Sequence, residues 1–267
     1  MSKLLLIGAG KMATAIAGGL VKSGLFAPAE LLAYDVNPVA AADFTKATGV
    51  ECAITGCFEL AAAADRVLLA IKPQTLAKAL TGLTEALAGK TVLSIVAGVP
   101  LQRLSELTGS RKVIRVMPNT PAQIGRGASA IAAAPDVDEA ELKLAEKIFG
   151  AVGIVMLVDE HNLDAVTALS GSGPAYVFEF IQALADGGVA SGLPRAAATE
   201  LAVQTVIGAA EMVRATGLHP TALKDQVISP GGTTIRALEV LEDRAFAGTV
   251  IQAVRAACAR SEELGRS

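Results

Sequence analysis

Up to about residue 158 the chain alternates short, predominantly apolar runs with stretches whose apolar residues recur every three or four positions, and then the runs stop. The runs are Leu4–Ile7, Leu31–Tyr34, Val67–Ile71, Val92–Ile95, Val113–Val116, Ser129–Ala132 and Ile154–Val158. A strand that is apolar on both sides belongs in a parallel sheet covered on both faces. Between the runs, Met12–Val21, Thr75–Leu87 and Glu139–Phe149 have helical spacing, so the pattern is that of βαβ units in a doubly wound α/β domain. From His161 onward helical stretches follow one another: Leu163–Leu169, Ala175–Ala190, Arg195–Ala215, Thr221–Val227, Thr234–Leu241 and Thr249–Leu264. Gly and Pro break them at 171–174, 192–194, 217–220 and 229–232. The expected division is an α/β domain over residues 1–159 and an all-α domain over residues 160–267.

The helical part contains stretches, 183–190 and 196–210, that are apolar on nearly every face. A helix without a polar face must be covered. A domain of this size has too little interior for several of them, so a homodimer through the C-terminal helices is expected. Hydrophobic residues make up 52% of the chain, but aromatics only 3%, so the core is built from Ala, Val, Leu and Ile. The longest stretch free of charge, Ala165–Phe178, is too short to span a membrane. A net charge of −3 without a Lys/Arg cluster argues against a nucleic-acid surface. Cys52, Cys57 and Cys258, with no CxxC pair, fit neither a disulfide framework nor a metal site. A reduced, cytoplasmic protein is the expectation.

The first apolar run leads into Gly8-Ala9-Gly10-Lys11-Met12-Ala13 and then a helix. Gly8 permits the tight turn, Gly10 lets the backbone approach a diphosphate, and Ala13 takes the small-residue position where helix meets strand. This is a Rossmann-like fingerprint in its proper context. The second run ends at Asp35, where such a fold reads the adenosine ribose, and no Arg or Lys lies in the next ten residues. A carboxylate there accepts from a 2′-hydroxyl and repels a 2′-phosphate, which favours NADH over NADPH. The same acid could equally serve the turn before Asn37-Pro38.

Ligands of an open α/β sheet lie beyond the C-terminal strand ends. Three of those ends are unusual: Ala70-Ile71-Lys72-Pro73-Gln74, Ser94-Ile95-Val96-Ala97-Gly98 and Arg115-Val116-Met117-Pro118-Asn119-Thr120-Pro121. Small residues and rigid turns at successive ends suit the wall of a nicotinamide site. Near the C-terminus, Ser229-Pro230-Gly231-Gly232-Thr233-Thr234 precedes a helical pattern and offers backbone N–H groups at a helix start, where an anion is well received. Alternatively it is a turn followed by a Thr N-cap.

With these segments in hand, the chain resembles the pyrroline-5-carboxylate reductase family from end to end. The resemblance is carried by residues 8–16, 70–74, 94–98, 117–121, Ser170-Gly171-Ser172-Gly173-Pro174-Ala175-Tyr176 and 229–242. It implies a Rossmann-like domain and a helical dimerisation domain, with dimers often assembled into rings. It also implies NADH- or NADPH-dependent reduction of the cyclic imine 1-pyrroline-5-carboxylate to L-proline, the last step of proline synthesis. By position, Ser229, Gly231, Gly232 and Thr233 match the substrate-carboxylate site, the last three through backbone N–H groups. Thr234 matches the catalytic hydroxyl beside the ring nitrogen, and Glu160 an acidic residue near the substrate. Gly8, Gly10, Lys11, Met12, Asp35, Ala70, Lys72, Pro73, Ala97, Gly98 and Asn119 match cofactor positions. Gln226 and Cys57 stand where Asn is frequent in the family.

The residues support this chemistry without the family. Dehydrogenation of an alcohol needs a base, and the helical part has one Lys (Lys224), two His (His161, His219) and one Tyr (Tyr176), none in the glycine–threonine loop. A protonated imine needs no base, only alignment and a favourable field. The alternatives are a β-hydroxyacid dehydrogenase-like enzyme with Lys224 as base, and a dinucleotide-binding sensor without activity.

Overall fold

The computed structural model describes residues 3–266. They form two compact units, one of residues up to Ser172 together with those from Ala257 onward, the other Gly173–Ala256.

The first unit is built on an eight-stranded sheet, β1 (Leu4–Ile7), β2 (Leu31–Tyr34), β3 (Cys52–Ala53), β4 (Arg66–Leu69), β5 (Thr91–Ser94), β6 (Val113–Met117), β7 (Gly127–Ala133) and β8 (Gly153–Leu157), in the order β3-β2-β1-β4-β5-β6-β7-β8. The first six strands are parallel, with Leu5 opposite Leu32 and Val67. Both faces of the sheet are covered, as the apolar runs require. Leu4 and Leu6 pack with Ile16, Leu20, Phe44 and Phe149 on one side, while Leu5 and Ile7 pack with Val67, Leu69, Leu76 and Leu87 on the other. Fully burying one such side chain contributes on the order of 1.5–3 kcal/mol.

The sheet departs from a purely parallel one at β7, which runs antiparallel to β6. The segment between them holds only a short 3₁₀ turn, Thr120–Ile124. A parallel return needs a crossover of about a dozen residues or more. The helix Glu139–Gly150 supplies such a crossover after β7, and β8 is parallel to β7. β3, unmarked by any apolar run, is two residues long. The helical stretch expected over 75–87 is two helices, Pro73–Ala79 and Thr84–Leu87, separated by a turn with Gly82 at φ +79°.

The helices that frame the site are α1 (Lys11–Ser23), α2 (Pro38–Thr48), α3 (Cys57–Ala63), α4 (Pro73–Ala79), α5 (Thr84–Leu87), α6 (Leu101–Thr108) and α7 (Glu139–Gly150). Polar clasps secure them. Lys90 Nζ donates to Ala61 O at 2.7 Å and Ala62 O at 2.8 Å, satisfying carbonyls at the end of α3. Arg66 on β4 donates to Glu141 Oε2 on α7 at 2.6 Å.

The second unit contains α9 (Gly173–Ala190), α10 (Arg195–Thr216), α11 (Pro220–Val227), α12 (Thr233–Asp243) and the beginning of α13 (Phe246–Arg266); the short α8 (Leu163–Val166) precedes it in the chain. Its packing centre is small: Ala185, Ala198 and Ala202, with Ile181 and Val189 against them. Large apolar side chains stand exposed, among them Phe178 at 64% and Val240 at 59%. Apolar surface of this extent is unfavourable in water when left uncovered. Among the described residues no helix is long and apolar enough to cross a membrane.

Candidate active site

At the end of β1, Gly8 adopts φ +106°, and a Cβ there would run into the Ala70 carbonyl and lie 2.9 Å from Ile71 Cγ2. Its N–H donates to Tyr34 O at 2.8 Å. The turn is therefore pressed against the start of the 70–74 segment, and glycine is the residue that fits. Gly10 is the N-cap of α1, in extended conformation (φ −73°, ψ 176°) and with no side-chain cap. A Cβ on Gly10 would meet nothing within 4 Å, so the approach to the helix start is open. Lys11 and Met12 occupy the first turn, and Ala13 is buried behind it. Uncapped N–H groups at the positive end of a helix, reached through a glycine, fit a dinucleotide diphosphate.

Asp35 serves this loop directly. Its Oδ2 accepts from Ala9 N at 2.8 Å and its Oδ1 from Asn37 N at 2.8 Å, while Asn37 caps α2 through Val39 N at 3.0 Å. The ribose and turn readings of Asp35 are thus compatible: one carboxylate braces the loop and retains free lone pairs. Cys57 and Cys52 lie nearby in sequence, and both thiols are pushed up to about 11, chiefly by burial, with Glu59 adding to the first and Asp35 to the second. At neutral pH they are protonated and poor nucleophiles.

Further along the strand ends, Lys72 is the N-cap and Pro73 the first residue of α4. Pro73, Ala97 and Gly98 line a cavity of about 760 Å³, together with Arg103, Ser261 and Leu264. Ser261 is fixed by donating to Asp164 Oδ1 at 2.6 Å. A larger groove, about 980 Å³, runs along α1 and α2 and reaches the phosphate loop at Ala9, Gly10 and Lys11. The smaller cavity is the one that Pro73, Ala97 and Gly98 of the strand ends line.

Asn119 is engaged within the fold. Its Nδ2 donates to Ser170 O at 3.0 Å and its Oδ1 accepts from Ala128 N at 2.8 Å. A Cβ on Gly171 would lie 2.6 Å from Met117 Cε, so the 117–119 and 170–171 motifs brace each other. The second motif forms a π-turn, Thr167–Gly171, with Ser172 N donating to Thr167 O at 2.8 Å. Glu160 is engaged too: its Oε1 accepts from Leu101 N at 2.6 Å and from Arg115 Nη1 at 2.7 Å. Arg115 and Asp164 were assigned no role from the sequence. The signal for Arg115 was present, since a guanidinium inside an apolar strand demands a carboxylate.

In the second unit, the 229–234 loop is a turn closed by Gly232 N donating to Ser229 O at 3.0 Å. Gly231 is at φ +67° with open space around it. A Cβ on Gly232 would collide with the Ser229 hydroxyl. Gly232, rather than a Thr, is the N-cap of α12, with φ −73°, ψ 175° and no side-chain cap. The N–H of Gly232, expected as an anion donor, is committed to the turn. Thr234 is half-buried. Of the ionisable candidates, His219 caps α11 by accepting from Thr221 N at 3.3 Å, and Lys224 is exposed.

A glycine-led phosphate loop on a doubly wound sheet, with an associating helical unit, defines a nicotinamide-dinucleotide oxidoreductase that assembles as a homo-oligomer. Residues 160–264 match the model described as pyrroline-5-carboxylate reductase dimerisation, and residues 3–98 that of NADP oxidoreductase, coenzyme F420-dependent. The chain is 47% identical over 262 residues to the pyrroline-5-carboxylate reductase of Arabidopsis thaliana, covering 98% of this chain and 95% of that one. Its fold is similar to the Coxiella burnetii pyrroline-5-carboxylate reductase, with TM-score 0.92, 34% identity and coverage of 100% and 99%. It is also similar to the Plasmodium falciparum pyrroline carboxylate reductase solved with NADP bound, with TM-score 0.89, 35% identity and coverage of 99% and 98%. The chain belongs to the pyrroline-5-carboxylate reductase family.

Proposed function

We propose that the protein reduces the C=N bond of 1-pyrroline-5-carboxylate to give L-proline. The observation that carries this reading is the start of α12: a helix led by glycine, uncapped, with two threonines in its first turn and no base in the loop. Gly231 and the first-turn N–H groups would hold the ring carboxylate, with Ser229 shaping the turn. The Thr234 hydroxyl would face the ring nitrogen, orienting it or relaying a proton. Reduction adds a hydride to the ring carbon and leaves a secondary amine, so no side chain has to remove a proton from substrate. The exposed position of Lys224 speaks against its use as a base.

The bound nicotinamide dinucleotide supplies the hydride. For its diphosphate the residues are Gly8, Gly10, Lys11 and Met12, for the adenosine ribose Asp35, and for the nicotinamide side Ala70, Lys72, Pro73, Ala97 and Gly98. Asn119 acts behind that wall by holding the 170–171 turn. Asp35 and the lack of a nearby cation favour NADH. We further infer that dimers form through the C-terminal helices and can assemble into rings, and that the protein works in the reducing cytoplasm, where three unpaired thiols persist.

The test is consumption of NADH and of NADPH, followed in parallel, on addition of the imine. Turnover with L-proline as product supports the reading. Cofactor binding without turnover would make the protein a sensor, and turnover of 3-hydroxyacids abolished by Lys224→Ala would make it the rival dehydrogenase.

A further inference from the structure

The loop that carries Ala97 and Gly98 runs from the end of β5 to the start of α6, and its own residues do not secure its far end. The N-cap of α6 is Pro100, which offers no side-chain cap. The acceptor comes from 59 residues further along the chain, where Glu160 Oε1 receives the Leu101 N–H at 2.6 Å. The same oxygen receives Arg115 Nη1 at 2.7 Å. Arg115 stands in β6 between buried Ile114 and Val116, and its side chain is 13% exposed against 36% for Glu160. A guanidinium so placed is held only by a matching carboxylate. The charge of Glu160 is therefore answered twice, by Arg115 and by the positive end of α6. On its other side the loop is backed by the last helix: Gly98 has φ +73°, and a Cβ there would lie 3.8 Å from the Leu264 carbonyl.

We propose that Glu160 is a positioning residue for the nicotinamide wall, clamping the 97–100 loop through Leu101 and Arg115, in place of the substrate contact that the family resemblance implies. This rests on the reading of Ala97 and Gly98 as flanking the nicotinamide. A substrate ligand acts through its charge, whereas a clamp acts through an oxygen acceptor at the right place. The two roles therefore respond differently to substitution. Glu160→Gln keeps the acceptor and loses the charge; Glu160→Ala loses both. Leu101→Pro removes the one N–H at a helix position that tolerates proline.

Glu160→Ala and Leu101→Pro should each lower kcat by about 10- to 100-fold, the scale of a slight misplacement of reacting groups, with KM for the imine little changed. Glu160→Gln keeps an acceptor for the Leu101 N–H but leaves Arg115 without its counter-charge, so it should lose clearly less turnover than Glu160→Ala. In the cofactor-free protein, amide hydrogen exchange over residues 96–104 should quicken most in Glu160→Ala and Leu101→Pro and less in Glu160→Gln, and this readout needs no activity. If Glu160→Gln is as damaging as Glu160→Ala and raises KM for the imine, the charge meets substrate and the clamp is refuted. Unchanged exchange in folded Glu160→Ala also refutes it, and if that variant does not fold, unchanged exchange in Leu101→Pro does so. Gly98→Val separates the underlying reading: if it leaves cofactor KM and kcat untouched, the nicotinamide assignment fails. If it is damaging while Glu160→Ala is silent, the clamp alone fails.

Discussion

Each unit of the molecule begins a helix on a glycine in the same conformation, φ −73° and ψ 176° at Gly10 of α1 and φ −73° and ψ 175° at Gly232 of α12, and neither helix has a side-chain cap. In backbone conformation the two starts are equivalent. Their support is not. α1 buries Ala13, Ile16, Ala17 and Leu20, and the turn before it is wedged against Ala70. α12 buries none of its residues, and the Gly231 beside it meets nothing within 4 Å. A helix terminus provides the field for an anion, while packing fixes where the anion sits. The sheet gives α1 that packing within one chain. For α12 the proposed dimer through the C-terminal helices would have to supply it.

The comparison predicts the largest effect where packing and glycine conformation coincide. Gly8→Val forces a β-branched residue to positive φ and drives its side chain into the Ala70 backbone. Strain of about 1–3 kcal/mol together with the displaced turn should weaken NADH and NADPH binding by about 100-fold or more, measured by fluorescence titration. Unaltered affinity would break the assignment of α1 as the diphosphate site. Next is Thr234→Ala, for which turnover should fall by about 10- to 100-fold while cofactor affinity stays put, since the hydroxyl belongs to the other helix start. A normal rate would remove Thr234 from the chemistry, and recovery in Thr234→Ser would identify the hydroxyl as the active group.

How much of this could be read in the residues differs between backbone and side chains. Strands β1 and β2 were legible to the residue because they are uninterrupted apolar runs, bounded by Lys3 and Gly8 and by Glu30 and Asp35. β3 was not, because two residues carry no period. The reversal at β7 was encoded only in the shortness of the link from β6, a signal of length and not of composition. In the site, Gly8 and Gly231 are required by positive φ, whereas Gly10 and Gly232 stood out as the glycines that begin α1 and α12. The partners of Glu160 and Asn119 were hidden, since Arg115, Leu101 and Ser170 lie 45 to 59 positions away and only the folded sheet brings them together. Even in the glycine loop, the commitment of the Gly232 N–H to Ser229 emerged only with the closed turn.

That turn supplies the third prediction. Gly232→Val places a branched side chain against the Ser229 hydroxyl, in a loop that has room to shift because Gly231 is unconstrained. KM for the imine should rise by about ten-fold, roughly 1.4 kcal/mol of lost carboxylate binding, with cofactor KM unchanged. A response as severe as that of Gly8→Val would mean that α12 is as tightly packed as α1 in the assembled enzyme. An unchanged KM would take the carboxylate out of this loop.

The smallest expected effect tests the first helix start through its brace. Asp35 holds Ala9 N–H, and its remaining lone pairs are free for a ribose hydroxyl. Asp35→Ser loses the brace and the repulsion of a 2′-phosphate together, so absolute KM values will rise for both cofactors and cannot separate the two roles. Their ratio can. The brace acts on the diphosphate loop, which NADH and NADPH share, whereas the ribose contact distinguishes them. The ratio of kcat/KM for NADPH to that for NADH should increase by about five-fold, near 1 kcal/mol of relieved repulsion. Equal losses with a constant ratio would make Asp35 a brace alone and remove the ground for expecting NADH over NADPH.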